Sequence, residues 1–271
     1  MANCHWRHKN VTDEELARHP VPSVLVGIIT PAKKFARREL LRAVYRVTAH
    51  PNVTVRFVVG LPENEDDAIR VALEQKAYGD MIQLDMKENM DDGKTFRYFE
   101  YLSKHEPYDY VMKADDDAFV HSHNLVRALR PLPRQRLYYG LLCGPPTVLQ
   151  WMSGMGYVMS WDSVLWLVNF NPPDKTGIED IKISNWLGQG PQREHTVSEQ
   201  CLYYQQPNSP VPGRTHGYID ETIVVHGMKN DVDWKEALRF FFGALPKGGK
   251  KGPSLPDRSW SDHAGVVTGM Y

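Results

Sequence analysis

Apolar runs and helical stripes alternate along the first half of the chain. Ser23 to Ile29 is a continuous apolar run, as expected of a strand covered on both faces. Phe35, Leu40, Leu41, Val44 and Val47 fall near helical spacing, which predicts a helix from Phe35 to Thr48. Val53 to Val59 reads as a second strand, Asp66 to Lys76 as a second helix, and Asp80 to Leu84 as a short third strand. The stripe Phe96, Phe99, Leu102 predicts a helix from Lys94 to His105, and Tyr110 to Lys113 a fourth strand. Strands alternating with helices imply a mostly parallel sheet with right-handed crossovers. The expected class is α/β, with a Rossmann-like layer flanked by helices. No Gly-x-Gly-x-x-Gly follows the first strand and no Walker loop is present, which argues against a dinucleotide enzyme and a P-loop NTPase.

After Tyr138 the alternation decays. Tyr138 to Cys143 and Gly156 to Ser160 read as strands, Asp162 to Asn169 and Ile178 to Leu187 as helices, and Thr222 to His226 as a late strand. Residues 1–20 are charged and read as an N-terminal extension. Residues 21–242 read as a single domain with halves 21–120 and 121–242. The Gly-, Pro- and Lys-rich stretch 243–271 reads as a solvated tail.

Composition narrows the class of partner. A hydrophobic fraction of 42% in 271 residues can supply a core, and a net charge of −1 gives no footprint for nucleic acid. No apolar stretch approaches membrane-spanning length and no signal-peptide pattern opens the chain. The expectation is either a cytosolic protein or one whose membrane anchor is missing from this sequence. Cys4, Cys143 and Cys201 are too few for a disulfide framework; one pair can form, and spacing does not say which. The sequons at Asn10 and Asn52 lean weakly towards a secretory compartment.

The candidate chemistry centres on Tyr110-Val-Met-Lys-Ala-Asp-Asp-Asp-Ala-Phe-Val120. Three adjacent carboxylates resist ionising together, and a hard divalent cation relieves the conflict: Mg²⁺ or Mn²⁺, held by carboxylates and substrate phosphates. Asp115 to Asp117 fall at the carboxyl end of a predicted strand, where open α/β sheets bind ligands. The plainer reading is a helix cap at Asp117. Gly154 and Gly156 read as a glycine loop before a strand, which lets backbone approach a ligand, or as an ordinary turn. Glu179 and Asp180 begin a predicted helix and can supply a general base, or merely complement its dipole. His226, after an apolar run, can complete a metal shell, or be one more hydrogen-bonded histidine among eleven.

In order, these pieces resemble the GT-A glycosyltransferase fold, and more finely the β1,3-galactosyltransferase-like family with its β1,3-N-acetylglucosaminyltransferase and Fringe-like members. Tyr110 to Val120 is similar to that family's "yvlKtDDDvFv", Trp151 to Ser160 to "YsGgGYvlS", and Glu179-Asp180-Ile181 to "EDV". Arg37 to Arg42 is similar to "RR-x-x-IR", Lys94-Thr95 to "KT", and Ala77 to Asp80 to "YgDil". The resemblance runs from about Val24 to His226. It departs at Leu41 to Tyr45, at Val148 to Trp151 and at Lys182 to Ser184, which bears on acceptor choice.

The resemblance implies an inverting, metal-dependent hexosyltransferase, with UDP-galactose the favoured donor, a glycan or glycoconjugate acceptor, a β1,3 linkage, no nucleic-acid partner, and a place in the Golgi lumen. Residues 21–120 would bind the nucleotide-sugar and 121–242 the acceptor. It implies Mn²⁺ or Mg²⁺ on Asp115, Asp117 and His226. Arg38, Arg42, Lys94, Asp115, Asp116, Gly154 and Gly156 would bind the donor. Asp180 is the expected base, with Glu179 second. Two other classes stay open: a non-catalytic nucleotide-sugar-binding partner or chaperone of a glycosyltransferase, and a metal-dependent phosphohydrolase that activates water.

Overall fold

The computed structural model describes residues 11–105, 107–210 and 215–243. In chain order the elements are α1 (Asp13–Ala17), β1 (Val24–Ile29), α2 (Phe35–Thr48), β2 (Val53–Leu61), α3 (Glu65–Tyr78), β3 (Met81–Lys87) and α4 (Lys94–Leu102). Then come β4 (Tyr110–Asp115), β5 (Ala118–Val120), α5 (Ser122–Leu129), β6 (Leu137–Cys143), β7 (Trp151–Ser160) and α6 (Trp161–Phe170). The last are α7 (Glu179–Leu187), β8 (His195–Ser198), β9 (Tyr203–Gln205), β10 (Val224–His226) and α8 (Asp231–Phe242). The chain divides into two compact units, 1–227 and 228–271.

A seven-stranded sheet in the order β3-β2-β1-β4-β7-β6-β8 forms the centre of the first unit. The β1–β2, β1–β4, β2–β3 and β6–β8 pairs are parallel, while β7 runs antiparallel to β4 and β6. The mostly parallel α/β sheet expected from the alternation is therefore present. Every residue of β1 is buried, as a continuous apolar run requires of a strand in the middle of a covered sheet. One face carries Leu25, Val58, Val111, Tyr157 and Met159 into a core with Phe96 and Phe99 of α4, Leu167 of α6, and Ile183 and Trp186 of α7. Phe96 and Trp186 meet edge to face at 6.0 Å, which locks α4 against α7.

A second sheet, β5-β10-β9, has three short strands and was not apparent from periodicity. β5 and β10 pair antiparallel, with His226 opposite Ala118. Of its strands only β10 matches an expected one, Thr222 to His226; β5 and β9 are three residues each and carry too little alternation to be seen, and the pairing of all three comes from tertiary contact. Gly154 and Gly156 lie within β7, not in a loop before it. The strand starts five residues earlier than expected because β7 pairs with β6 back to Trp151 opposite Cys143.

The described part of the N-terminal stretch holds α1, with a capping box between Thr12 and Glu15. Arg127 of α5 reaches Asp13, and Arg130 donates to the carbonyl of His19. Cys201 is disulfide-bonded and Cys143 is a buried thiol. The sequon at Asn10, Cys4 and the tail from 244 lie outside the described residues; Asn52 is exposed. Among the described residues no helix is long and apolar enough to cross a membrane. In the second unit, the Asn230 side chain caps α8 by accepting from Val232 and Asp233, and Trp234 donates to the Met228 carbonyl at 2.8 Å.

Candidate active site

β4 ends at Asp115 in the large sheet, and β5 starts at Ala118 in the small one. The turn between them carries Asp116 and Asp117. Because β10 pairs with β5 in a register that sets His226 opposite Ala118, the imidazole arrives beside this turn. His226 Nε2 lies 3.0 Å from Asp117 Oδ1 and 3.4 Å from Asp115 Oδ2. Asp115, Asp117 and His226 thus offer two carboxylates and an imidazole within 4.8 Å of one another. The other ring nitrogen, Nδ1, faces the side-chain oxygen of Gln205 at 3.1 Å. Gln205 Oε1 can only accept, so Nδ1 carries a hydrogen. Facing the two carboxylates, Nε2 carries a second hydrogen and donates to them; giving that proton up leaves the neutral tautomer a metal needs, held by an outer partner as metal-binding histidines commonly are. The donor set of oxygens and one nitrogen suits Mn²⁺ or Mg²⁺.

The electrostatics fit a site built for a cation. Burial opposes the His226 imidazolium, yet hydrogen bonds to Asp115 and Asp117 overcome it and push the pKa up to about 9. Burial would raise the Asp115 carboxyl, but the Lys113 ammonium outweighs it and holds the pKa at about 2. Asp116 turns the other way: Oδ1 accepts from Lys34 at 2.9 Å, while Oδ2 is buried with no hydrogen-bond partner. Thr30 Oγ1, just past the end of β1, is another such atom. β1 and β4 are in register at Ile29 and Asp115, so Thr30 and Asp116 are the next residues on neighbouring strands. Orphaned buried polar atoms are costly, and a ligand is one partner that satisfies them.

Lys113 connects this turn to α7. Its ammonium is 1% exposed and reaches Asp115 Oδ1 at 2.7 Å, the Gly154 carbonyl at 2.7 Å and Glu179 Oε2 at 3.1 Å. Tyr157 donates to the other Glu179 oxygen. Burial raises the Glu179 pKa, against the pull of Lys113 and Tyr157. Asp180 Oδ2 accepts from the Gly154 N–H at 3.0 Å, and Oδ1 accepts from the Ile181 N–H at 2.9 Å. The two glycines of β7 have separate reasons. A Cβ at Gly154 would sit 3.4 Å from Lys113 Nζ and 3.5 Å from Asp180 Oδ2, within the site; one at Gly156 would lie 2.7 Å from Met112, within the core.

Three residues expected to hold the donor are engaged inside the protein. Arg38 is fully buried, with Glu74 and the carbonyls of Pro31 and Ala32 on its guanidinium. Arg42 pairs with Glu74, Glu39 and, through two nitrogens, Asp80. Lys94 is fully buried and bonds the Thr30 carbonyl at 3.0 Å and Glu88 at 2.5 Å. Their charges are engaged by carboxylates of the protein, Glu74 and Asp80 from a distance in sequence and Glu39 and Glu88 from nearby. Arg38 and Lys94 still shape the site indirectly, since both hold backbone of the loop after β1. Lys113, Lys34, Thr30, Gln205 and Tyr157 were not singled out from sequence. Only Lys113 carried a signal, as a charge inside an apolar strand.

The sequence model of the galactosyltransferase family matches residues 36–149. Beta-1,3-galactosyltransferase pvg3 of Schizosaccharomyces pombe is 28% identical over 198 residues, 51% of this chain and 52% of that protein. Beta-1,3-galactosyltransferase 6 of Mus musculus is 28% identical over 282 residues, 91% of this chain and 83% of that protein. UDP-GlcNAc:betaGal beta-1,3-N-acetylglucosaminyltransferase 8 of Homo sapiens is 32% identical over 130 residues, 44% of this chain and 32% of that protein. The chain thus spans about half the length of the first of these relatives and a third of the last. Among solved structures, galactosyltransferase LgtC in complex with donor and acceptor sugar analogs overlaps with a TM-score of 0.44 at 13% identity, over 75% of this chain and 86% of that one. The match over residues 36–149, together with these relatives, identifies a galactosyltransferase-family domain in this chain.

Proposed function

We propose that this chain is a GT-A glycosyltransferase that moves a hexose, galactose in the first instance, from a UDP-sugar to a glycan hydroxyl as a β1,3 linkage. One observation carries the reading: the Asp115–Asp117–His226 cluster and Asp180 flank the same buried lysine at the carboxyl edge of a mostly parallel sheet. That is where α/β sheets bind ligands, and it is the layout a metal-assisted transfer with a single base requires. The names of the relatives support galactose as the sugar and β1,3 as the linkage.

Asp115, Asp117 and His226 would hold Mn²⁺ or Mg²⁺, which when bound neutralises negative charge on a departing nucleoside diphosphate. Asp116 Oδ2 and Thr30 Oγ1 are free to accept and donate to the ribose or uracil. Gly154, without a side chain, leaves room for the donor sugar beside Lys113. Asp180 takes the proton from the acceptor hydroxyl, with its two backbone donors holding the carboxylate in place. Glu179 is the poorer candidate, since its nearly buried carboxylate is tied to the Lys113 ammonium as well as to the Tyr157 hydroxyl, whereas Asp180 meets only backbone N–H groups. One attack with no protein nucleophile inverts the anomeric carbon, giving a β link from an α-linked donor. The disulfide at Cys201 supports an oxidising lumen such as the Golgi as the place of action.

The test is UDP release from a panel of UDP-sugars, measured with Mn²⁺ and with EDTA, followed by an acceptor screen. Slow hydrolysis of UDP-galactose that EDTA abolishes is the expected result. A protein that binds UDP-galactose without hydrolysing or transferring it sinks the enzyme reading in favour of a binding partner; phosphate release without sugar transfer points to a phosphohydrolase.

A further inference from the structure

The geometry points to Lys113 as a positioning residue that sets the metal ligands and the base in a single register, an inference that rests on the function proposed above. The ammonium sits in the middle of an unbroken hydrogen-bonded path. On one side it holds Asp115 by Oδ1, which leaves Oδ2 turned towards His226 Nε2. On the other it holds the Gly154 carbonyl and Glu179 Oε2. Gly154 in turn donates its N–H to Asp180 Oδ2. One peptide residue therefore has its C=O on the lysine and its N–H on the base.

Three features make this path stiff. Lys113 lies inside β4, paired with Tyr157 of β7, so its Cα cannot drift relative to the strand that carries Gly154. Its side chain is 1% exposed, so no water competes for the ammonium. Glu179 is fixed from its far side by the Tyr157 hydroxyl, and Tyr157 is fully buried. The site is thus a chain of fixed parts: Asp117 and His226, then Asp115, then Lys113, then Gly154 with Glu179, then Asp180. A lysine suits the centre better than an arginine, because a compact ammonium with three rotatable donors can serve all three acceptors from one atom.

The arrangement explains two carboxylates side by side at the start of α7. Glu179 is the anchor through which the helix reports to Lys113, and Asp180 is the group left to face substrate. It also assigns a use to the buried cation within the apolar strand β4. An ion drawn to Asp115 Oδ2 pulls on a carboxylate whose other oxygen is tied to Lys113. The first turn of α7 is therefore held most firmly when the ion is bound.

Amide hydrogen exchange of the full chain, with and without Mn²⁺, tests this, with calorimetry run in parallel to count bound ions. The expected result is slower exchange at Gly154 and Ile181 when the ion binds, alongside protection near Asp117 and His226. The paired change Lys113→Met with Glu179→Gln removes the linkage without leaving an unmatched charge in the interior. In that variant the ion should still protect the Asp117–His226 side while Gly154 and Ile181 no longer respond. Its kcat should drop about 100-fold, the cost of a small misplacement of a reacting group, with donor KM within about 3-fold. A residue that merely stabilised the fold would change exchange equally with and without the ion. One bound ion in the wild-type protein with no change at Gly154 and Ile181 overturns the inference alone, as does a paired variant that keeps the response. If calorimetry finds no bound ion, the metal site itself fails and this inference with it.

Discussion

Arg38 grips Glu74 through two nitrogens, at 2.8 and 2.6 Å, and neither side chain is more than 1% exposed. Glu74 also accepts from Arg42, so one carboxylate of α3 is shared by two arginines of α2, with Glu39 and Asp80 supplying further negative charge at Arg42. Removing one partner of a buried ion pair strands the other's charge. Glu74→Ala should therefore destabilise the protein by about 3–5 kcal/mol, read as a lower midpoint in urea unfolding. Its metal binding should survive while the protein stays folded, because Glu74 contacts none of the metal-binding candidates.

The Gln205 amide oxygen orients His226 from behind the triad. Gln205→Ala should weaken Mn²⁺ binding about 10- to 100-fold, as loss of outer partners of metal ligands commonly does. His226→Ala and Asp117→Asn should weaken it further. Calorimetric titration with Mn²⁺ measures all three; equal affinity in Gln205→Ala would show that the imidazole is held by its strand alone.

Asp180 and Glu179 adjoin in sequence but face different partners. Asp180→Asn keeps the shape and removes the proposed base. Its transfer rate should fall about 10²- to 10⁴-fold, the usual worth of a general base, with UDP affinity little changed. Glu179→Gln retains a group able to bond Lys113 and Tyr157, so its loss should be the smaller of the two. Rates in saturating donor and acceptor decide the order, and a reversed order would make Glu179 the base.

An acid-sensitive element lies where α5 begins. The His121 ring accepts from the Asn124 N–H to cap that helix, and the His50 ring accepts from Asn52 N–H. A protonated ring cannot accept through the same nitrogen. Burial, and then His123 nearby, lowers the pKa of both His50 and His121. A folded-state pKa below the unfolded value means the unfolded chain binds more protons. The contribution to stability is thus full above about pH 6.5 and is lost as pH falls through the lowered values. Thermal midpoints from pH 7 to 5 should drop less steeply in His121→Asn, which keeps a capping side chain that does not titrate. Parallel profiles for the two proteins would count against this.

Much of the site is legible in the sequence where local pattern and chemistry coincide. Asp115 to Asp117 follow a readable buried strand, and Glu179-Asp180 open a readable helix. Residues whose roles come from distant pairing are not legible in that way. A place after an apolar run is all that sets His226 apart locally from ten other histidines; the register between residues 118 and 226 brings it to the turn. Arg38 and Arg42 look like ligand-binding charges until Glu74 and Asp80 arrive from the next helix and its exit. Arg42 and Asp80 in fact explain two stretches of family resemblance by one bidentate pair. Gly154 and Gly156 suggest a loop because glycine is rare within strands. Here the strand tolerates them, one beside the charged path and the other against Met112.

The turn from Asp115 to Ala118 also passes between the two sheets, with His226 returning on the small one. A cation held there would draw ligands from both sheets and close them together like a clasp. Because the unfolded chain has no such preformed cluster, ion concentration becomes a folding variable. At an ion concentration of about 100 times Kd, linkage adds about 2.7 kcal/mol to stability. Chelation would then loosen β9 and β10 as well as remove the proposed cofactor, so a loss of activity in EDTA would combine a missing ion with a less firmly joined pair of sheets.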